Sequence, residues 1–177
     1  MARISPAAIA ASTAALETGD VQNALHVRNR EYGQDSGTFD DSVQCTIEFI
    51  LGKTPRALAD CPQPALNLAR IGAAMMELWG VGRLKDVTEP VDGRTYRRDR
   101  SAVSHMLLSH ASYLLRLAQI RETSLRNVKI LRAELPEDCA VCREISVRRF
   151  TVDDVPELPL VDCTCPDYCK CVLIAVA

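Results

Sequence analysis

The stretch VDCTCPDYCKC at residues 161–171 holds four of the eight cysteines in the chain and decides how its C-terminal part folds. Two further cysteines, Cys139 and Cys142, lie upstream in ELPEDCAVCREI. Cysteines gather in this way for a metal site, a disulfide framework or a redox pair. Each of these chemistries predicts a different role for the residues around it.

The spacing of these thiols is typical of a structural zinc site. Zinc binds four ligands in a tetrahedron, mostly thiolates, and paired ligands stand two to four residues apart. One pair lies at 139 and 142, and the other thiols follow after about twenty residues, as in ribbon or knuckle loops. The candidate ligands of a structural Zn²⁺ are therefore Cys139, Cys142, Cys163, Cys165, Cys169 and Cys171.

A single zinc site needs only four of these six cysteines. We expect Cys139, Cys142 and Cys163 to bind, together with Cys169 or Cys171, and Cys165 is the main competitor for the fourth place. Two or three disulfides are the alternative. A Cys-x-x-Cys redox pair normally opens a helix, whereas CREISVRRF after Cys139 predicts a strand.

Composition and the predicted location favour a bound metal ion over disulfide bonds. The chain is 47% hydrophobic and 25% charged, with a net charge of −2, so no overall field points to nucleic acid or to a membrane. No run of 18 apolar residues is present, and MARISPAAIAASTAALETGD predicts a helix rather than a signal peptide. We therefore expect a location in the cytoplasm, or in a virion, and reduced thiols.

Residues 1–125 carry the start and stop signals of a helical bundle. Ser5 followed by Pro6 starts a helix that Gly19 ends, and Asp20 caps a second helix that Gly33 closes. Three more helices are predicted: one from a capping box at Thr38 and Asp41 to Leu51, one opened by Pro62 and Pro64, and one spanning Val103 to Ala118.

The pattern changes at residue 126. NVKILRAEL, CREISVRRF and CVLIAV predict three short strands, which bury too little apolar surface to be stable alone. A bound metal would supply the missing stability. The predicted fold is mainly α, in an α+β arrangement: a helical bundle at 1–125 and a small Cys-rich β module at 126–177.

The order of motifs over residues 105–177 resembles the cysteine module that ends phage Mu F-like head morphogenesis (minor head) proteins. The matching pieces are NVKILRAEL, CAVC, VRRF, VPELPLVDC, CPDYCKC and VLIAV. The family usually has His-Pro-Asn-Cys-Arg-Cys near its end, where this chain has Cys165 in place of the histidine and one extra residue. The resemblance implies a phage or prophage-derived interaction protein.

The remaining candidate sites are weaker. Arg94, Arg97, Arg98 and Arg100 surround Tyr96 and are a candidate phosphate-binding patch, or a solvated loop paired with acids such as Asp153, Asp154 and Glu157. His105 and His110 are about 140° apart around a helix and so do not share a face.

No catalytic residues are predicted, because no nucleophile, phosphate-loop or paired-carboxylate motif of a known enzyme class is present. The sequence therefore predicts a non-enzymatic structural or assembly protein that binds a protein partner or copies of itself. Nucleic-acid binding is the first alternative, and a helical nucleotide hydrolase is the less favoured second one.

Overall fold

A computed structural model describes residues 4–34, 41–80, 100–134 and 138–176 and confirms a mainly helical α+β fold. Its elements are α1 (Pro6–Glu17), α2 (Val21–Glu31), α3 (Asp41–Gly52), a short 3-10 helix (Arg56–Leu58), α4 (Gln63–Trp79), α5 (Arg100–Arg121), β1 (Asn127–Leu131), α6 (Ala140–Ser146), β2 (Arg149–Thr151) and β3 (Val172–Val176). None of the helices within these ranges combines the length and the apolar composition that a membrane span requires.

Local capping chemistry sets the bounds of the first two helices, as predicted. The side chains of Ser5 and Asp20 each accept a hydrogen bond from the backbone N–H three residues later, at 3.2 and 3.0 Å. Gly19 and Gly33 follow the helix ends with φ of 77° and 64°, a conformation that other residues rarely adopt. The capping role predicted for Thr38 lies outside the described residues.

Helices α1 to α4 and the first half of α5 enclose one hydrophobic core. Its largest fully buried side chains are Leu16, Leu25, Ile47, Ile50, Leu58, Leu78, Met106 and Leu107. Cys61 belongs to this core and Cys45 is half-buried on α3, so both act as small packing groups away from the C-terminal cysteines.

Helices α4 and α5 approach each other closely at Gly72. A Cβ atom added at Gly72 would lie 2.9 Å from Ser104 Oγ, and Ser104 is buried and donates a hydrogen bond of 2.9 Å to the carbonyl of Ala69. We therefore expect Gly72→Ala to lower the free energy of unfolding by about 1–3 kcal/mol, because the added methyl group displaces Ser104 and strains the helix contact.

The matched control for this substitution is Gly52→Ala at the end of α3, where nothing lies within 4 Å of the added methyl group. Its effect should be neutral, or stabilising by up to about 1 kcal/mol, because alanine restricts the unfolded chain. Urea denaturation followed by circular dichroism measures both variants. Equal stability of Gly72→Ala and the wild type would show that the two helices are not in tight contact.

The C-terminal part is built on a three-stranded antiparallel sheet in the order β2-β1-β3. Val128 on the central strand pairs with Phe150 of β2 and with Ala175 of β3. The strand predicted over NVKILRAEL is present only at Asn127–Leu131. A second core forms between the sheet, the later half of α5 and the cysteines, and it includes Leu117, Val128, Ile130, Leu158 and Leu173.

The strand predicted over CREISVRRF was wrong for most of its length. Cys139 is instead the N-cap residue of α6, and only Arg149–Thr151 forms a strand. The β-branched Ile145 and Val147 favour a strand locally, but this preference is weak and tertiary contacts override it. A helical turn lets residues three positions apart share one face, so it brings Cys139 and Cys142 to the same point.

The extended link between β2 and the later cysteines is held against the bundle. The backbone N–H of Arg56 donates to the Glu157 carboxylate at 2.7 Å, and His110 Nδ1 lies 2.7 Å from the carbonyl oxygen of Leu158. A carbonyl oxygen only accepts, so His110 carries its hydrogen on Nδ1. Helix α5 contributes side chains to both cores. The domain boundary expected at residue 125 therefore stays a prediction.

Candidate metal centre

Two chain segments bring the six C-terminal cysteines together. Cys139 and Cys142 lie at the N-cap and in the first turn of α6, and the other four lie in the loop that leads to β3. Each of the six residues is at most 9% exposed. The turn at the start of α6 and the folding back of the loop thus create a buried cluster of thiols.

Four of the separations between the Sγ atoms match the spacing in a tetrahedral thiolate site. Cys142 Sγ lies 3.6 Å from Cys163 Sγ, 3.8 Å from Cys165 Sγ and 3.9 Å from Cys169 Sγ, and Cys139 Sγ lies 3.9 Å from Cys163 Sγ. Zinc–sulfur bonds of about 2.3 Å in a tetrahedron place neighbouring sulfurs about 3.8 Å apart. A disulfide requires about 2.05 Å, and all six thiols are free.

Two groups of ligand atoms can be distinguished by their mutual distances, which are all below 4.8 Å within a group. The first group is Cys139, Cys142, Cys163 and Cys165, and the second is Cys142, Cys169 and Cys171. The structure therefore brings all six candidate ligands together, and the first group contains Cys165 at the place expected for Cys169 or Cys171. These buried cysteines could bind a metal ion.

Hydrogen bonds favour the thiolate form at two of the cysteines. Burial raises the pKa of Cys139, but hydrogen bonds from the backbone N–H groups of Cys142 and Thr164 and from neighbouring thiols outweigh it and lower the pKa to about 6. Cys169 accepts hydrogen bonds from the thiols of Cys163 and Cys171, and these lower its pKa despite its burial. Both sulfurs are thus prepared to bind a cation.

Three of the thiols, those of Cys142, Cys163 and Cys171, have raised pKa values that favour the protonated form as long as no cation is near. Burial raises the pKa of Cys142, and the hydrogen bond that Cys163 donates to Cys169 raises the pKa of Cys163, with burial adding to it. The pKa of Cys171 is raised in the same way, first by its hydrogen bond to Cys169 and then by burial. A divalent metal would replace these protons, because its charge stabilises several thiolates at once.

Polar contacts fix the chain on the approach to α6. Arg132 Nη1 lies 2.9 Å from the buried carboxylate of Asp138, and the Arg143 guanidinium donates a hydrogen bond to the backbone carbonyl of Asp138. The backbone N–H of Cys139 points to Cys165 Sγ at 3.4 Å. These contacts hold the Cys139 backbone beside the later loop, as is usual for residues that surround a metal site.

The predicted arginine patch lies largely outside the described residues. Arg94, Arg97 and Arg98 lie outside the described residues, and Arg100 begins α5 with a side chain that is likewise not described. Two of the acids expected to pair with this patch have other partners: Asp153 pairs with Arg121 at 3.6 Å, and Glu157 lies 3.6 Å from the Arg56 side chain.

The two histidines of α5 have structural contacts outside the cysteine cluster. The His105 ring stacks on Tyr168 with ring centres 4.9 Å apart, and buried His110 is bound to the Leu158 carbonyl. Among the described residues, only cysteines form groups of three or more close ligand atoms. The sequence pattern had not indicated the contact of His110 with the link, because the two residues lie 48 positions apart.

Comparisons with known proteins identified no relative of this chain. A scan against protein-family models gave no match, and searches of curated proteins and of solved structures gave no significant match either.

Proposed function

We propose that this chain is a non-enzymatic structural or assembly protein whose C-terminal module is held in shape by zinc. The observation that carries this proposal is the set of Sγ separations of 3.6–3.9 Å among buried cysteines, which fits a tetrahedral thiolate site. Zinc is favoured over other ions because an all-thiolate ligand set in a tetrahedron is typical of structural zinc.

The small sheet explains why such a module needs an ion. Its strands have five, three and five residues, and six of the fifteen described buried residues in the second core are cysteines. Strands of this size do not bury enough apolar surface for independent stability. The metal would therefore tie the α6 turn to the loop before β3, with the contacts of Glu157 and His110 joining the module to the helices.

The partner is proposed to be another protein or a second copy of the chain. The motif order over residues 105–177, which resembles phage Mu F-like head morphogenesis proteins, supports a phage or prophage origin and a role in particle assembly. On α1, Ala8 is buried in the core, whereas Ala7, Ala10 and Ala11 are exposed and leave a smooth face for close helix contact.

Elemental analysis of the purified protein, with thiol titration before and after chelation, tests this proposal. We expect zinc in the protein and C-terminal thiols that react only after chelation. The Cys45→Ser variant is the control, since Cys45 lies on α3 away from the cluster, and it should keep the same zinc content. Absence of zinc, with thiols that react at once or are joined as disulfides, would contradict the metal-stabilised module.

Sedimentation velocity tests the assembly role. We expect the zinc-loaded wild type to self-associate or to bind a protein partner, and Ala10→Glu to weaken self-association through the α1 face.

DNA binding that falls steeply with added salt would favour the nucleic-acid alternative instead. Turnover of nucleoside triphosphates with magnesium would favour the hydrolase.

A further inference from the structure

One zinc ion uses four thiolates, whereas six buried cysteines meet in this cluster. We propose that the six thiolates bind two metal ions in one binuclear cluster, in which Cys142 and Cys163 bridge the ions. This inference rests on the proposed metal-stabilised module and specifies its chemistry. Two tetrahedral ions that share two thiolates need six sulfurs in all, which is the number present.

The distances assign the bridging role to Cys142 first. Cys142 is the member common to both groups of close ligand atoms, and its Sγ lies within 3.9 Å of sulfurs from each group. A sulfur at this central position can contact an ion on either side. A ligand of a single ion would have neighbours on one side only.

The second group supplies three ligand atoms, and we assign Cys163 as the fourth ligand and second bridge because it belongs to the first group and is hydrogen-bonded to Cys169 of the second. Cys163 Sγ lies 3.9 Å from Cys139 and 3.6 Å from Cys142, and it donates a hydrogen bond to Cys169. Cys139 and Cys165 are then the terminal ligands of the first ion. Cys169 and Cys171, which contact each other and Cys142, are the terminal ligands of the second ion.

The charge balance permits the second ion. Two Zn²⁺ with six thiolates carry a net charge of −2, the same as one Zn²⁺ with four thiolates. The second ion therefore balances the charge of the Cys169 and Cys171 thiolates, and any proton still bound to them is released as the metal binds.

Metal stoichiometry of the whole protein tests the inference. The metal-free protein is reloaded under anaerobic conditions with Zn²⁺ or ¹¹³Cd²⁺, and bound ions are counted by native mass spectrometry. We expect two ions per chain. The ¹¹³Cd NMR spectrum of the cadmium-loaded protein should show two resonances that are coupled to each other through the shared thiolates. The Cys171→Ser variant should keep one ion, and Cys45→Ser, the control, should keep two.

The possible outcomes separate this inference from the proposed function. Two coupled ions support both. One ion per wild-type chain, with Cys169 and Cys171 open to thiol reagents, overturns the binuclear cluster and leaves the metal-stabilised module standing. No bound ion overturns both. The count on the wild type is decisive even if Cys171→Ser fails to fold.

Discussion

Removing the proposed metal should unfold the C-terminal module while the helical bundle stays folded. Structural zinc contributes on the order of 10 kcal/mol to small modules at neutral pH, and this sheet has little else to hold it, because cysteines occupy much of its core. The first core, by contrast, is formed almost entirely by apolar side chains of α1 to α5. Metal loss therefore removes the main support of one part and little from the other.

Hydrogen exchange measured by mass spectrometry, with and without a strong zinc chelator, checks this result. We expect peptides from β1, α6 and β3 to lose protection and peptides from α3 and α4 to keep it, so the helices serve as an internal control. Acidification should also release the metal, because protons compete for thiolates. Protected β1 and β3 amides in protein shown to be metal-free would mean that apolar packing alone holds the module.

Trp79→Ala should destabilise the helical bundle and leave the metal content unchanged, whereas metal removal should affect the C-terminal module alone. The Trp79 side chain is 2% exposed at the end of α4, and its Nε1–H donates a hydrogen bond of 3.1 Å to Ser12 Oγ on α1. Truncation removes the ring from the first core and leaves a cavity between the helices. We expect the free energy of unfolding of the bundle to fall by about 3–5 kcal/mol.

Trp79→Phe is the matched control for the cavity. It keeps an aromatic ring in the core, loses the hydrogen bond and leaves a much smaller cavity than alanine does, while the Ser12 hydroxyl still donates to the Ala8 carbonyl at 2.8 Å. Its cost should be about 2 kcal/mol, from the hydrogen bond and the small cavity together. Urea denaturation followed by helical circular dichroism measures both variants, and elemental analysis gives the metal content. Similar stability of the two variants would show that the ring is not tightly packed.

Helix bounds were the best predicted feature of the fold, because their signals are local. A side chain such as Ser5 or Asp20 caps the helix that begins beside it, and a glycine such as Gly19 ends it, whatever the remainder of the chain does. The same holds for Pro62 at the start of α4. The α+β class followed from these helices and from the short β-branched segments after residue 126.

Helix α6 was missed because two local signals disagreed. Ile145 and Val147 favoured a strand, whereas Pro136, Glu137 and Asp138 before the Cys-x-x-Cys pair are residues that often precede or begin a helix. The chain is too short here for periodicity to decide between the two. In the structure, the contacts of Asp138 with Arg132 and Arg143 stabilise the helical start.

The sequence by itself determined where the helices begin and end and that six thiols would be available at one end of the chain, because caps and cysteine spacings act over a few residues. Only the tertiary structure decided which sulfurs meet. It places Cys165 in one group with Cys139, and it makes Cys142 the cysteine that is common to both groups of close ligand atoms. The physical reason is distance along the chain: segments more than twenty residues apart are brought together by the packing of α5, α6 and the sheet, which no local pattern encodes.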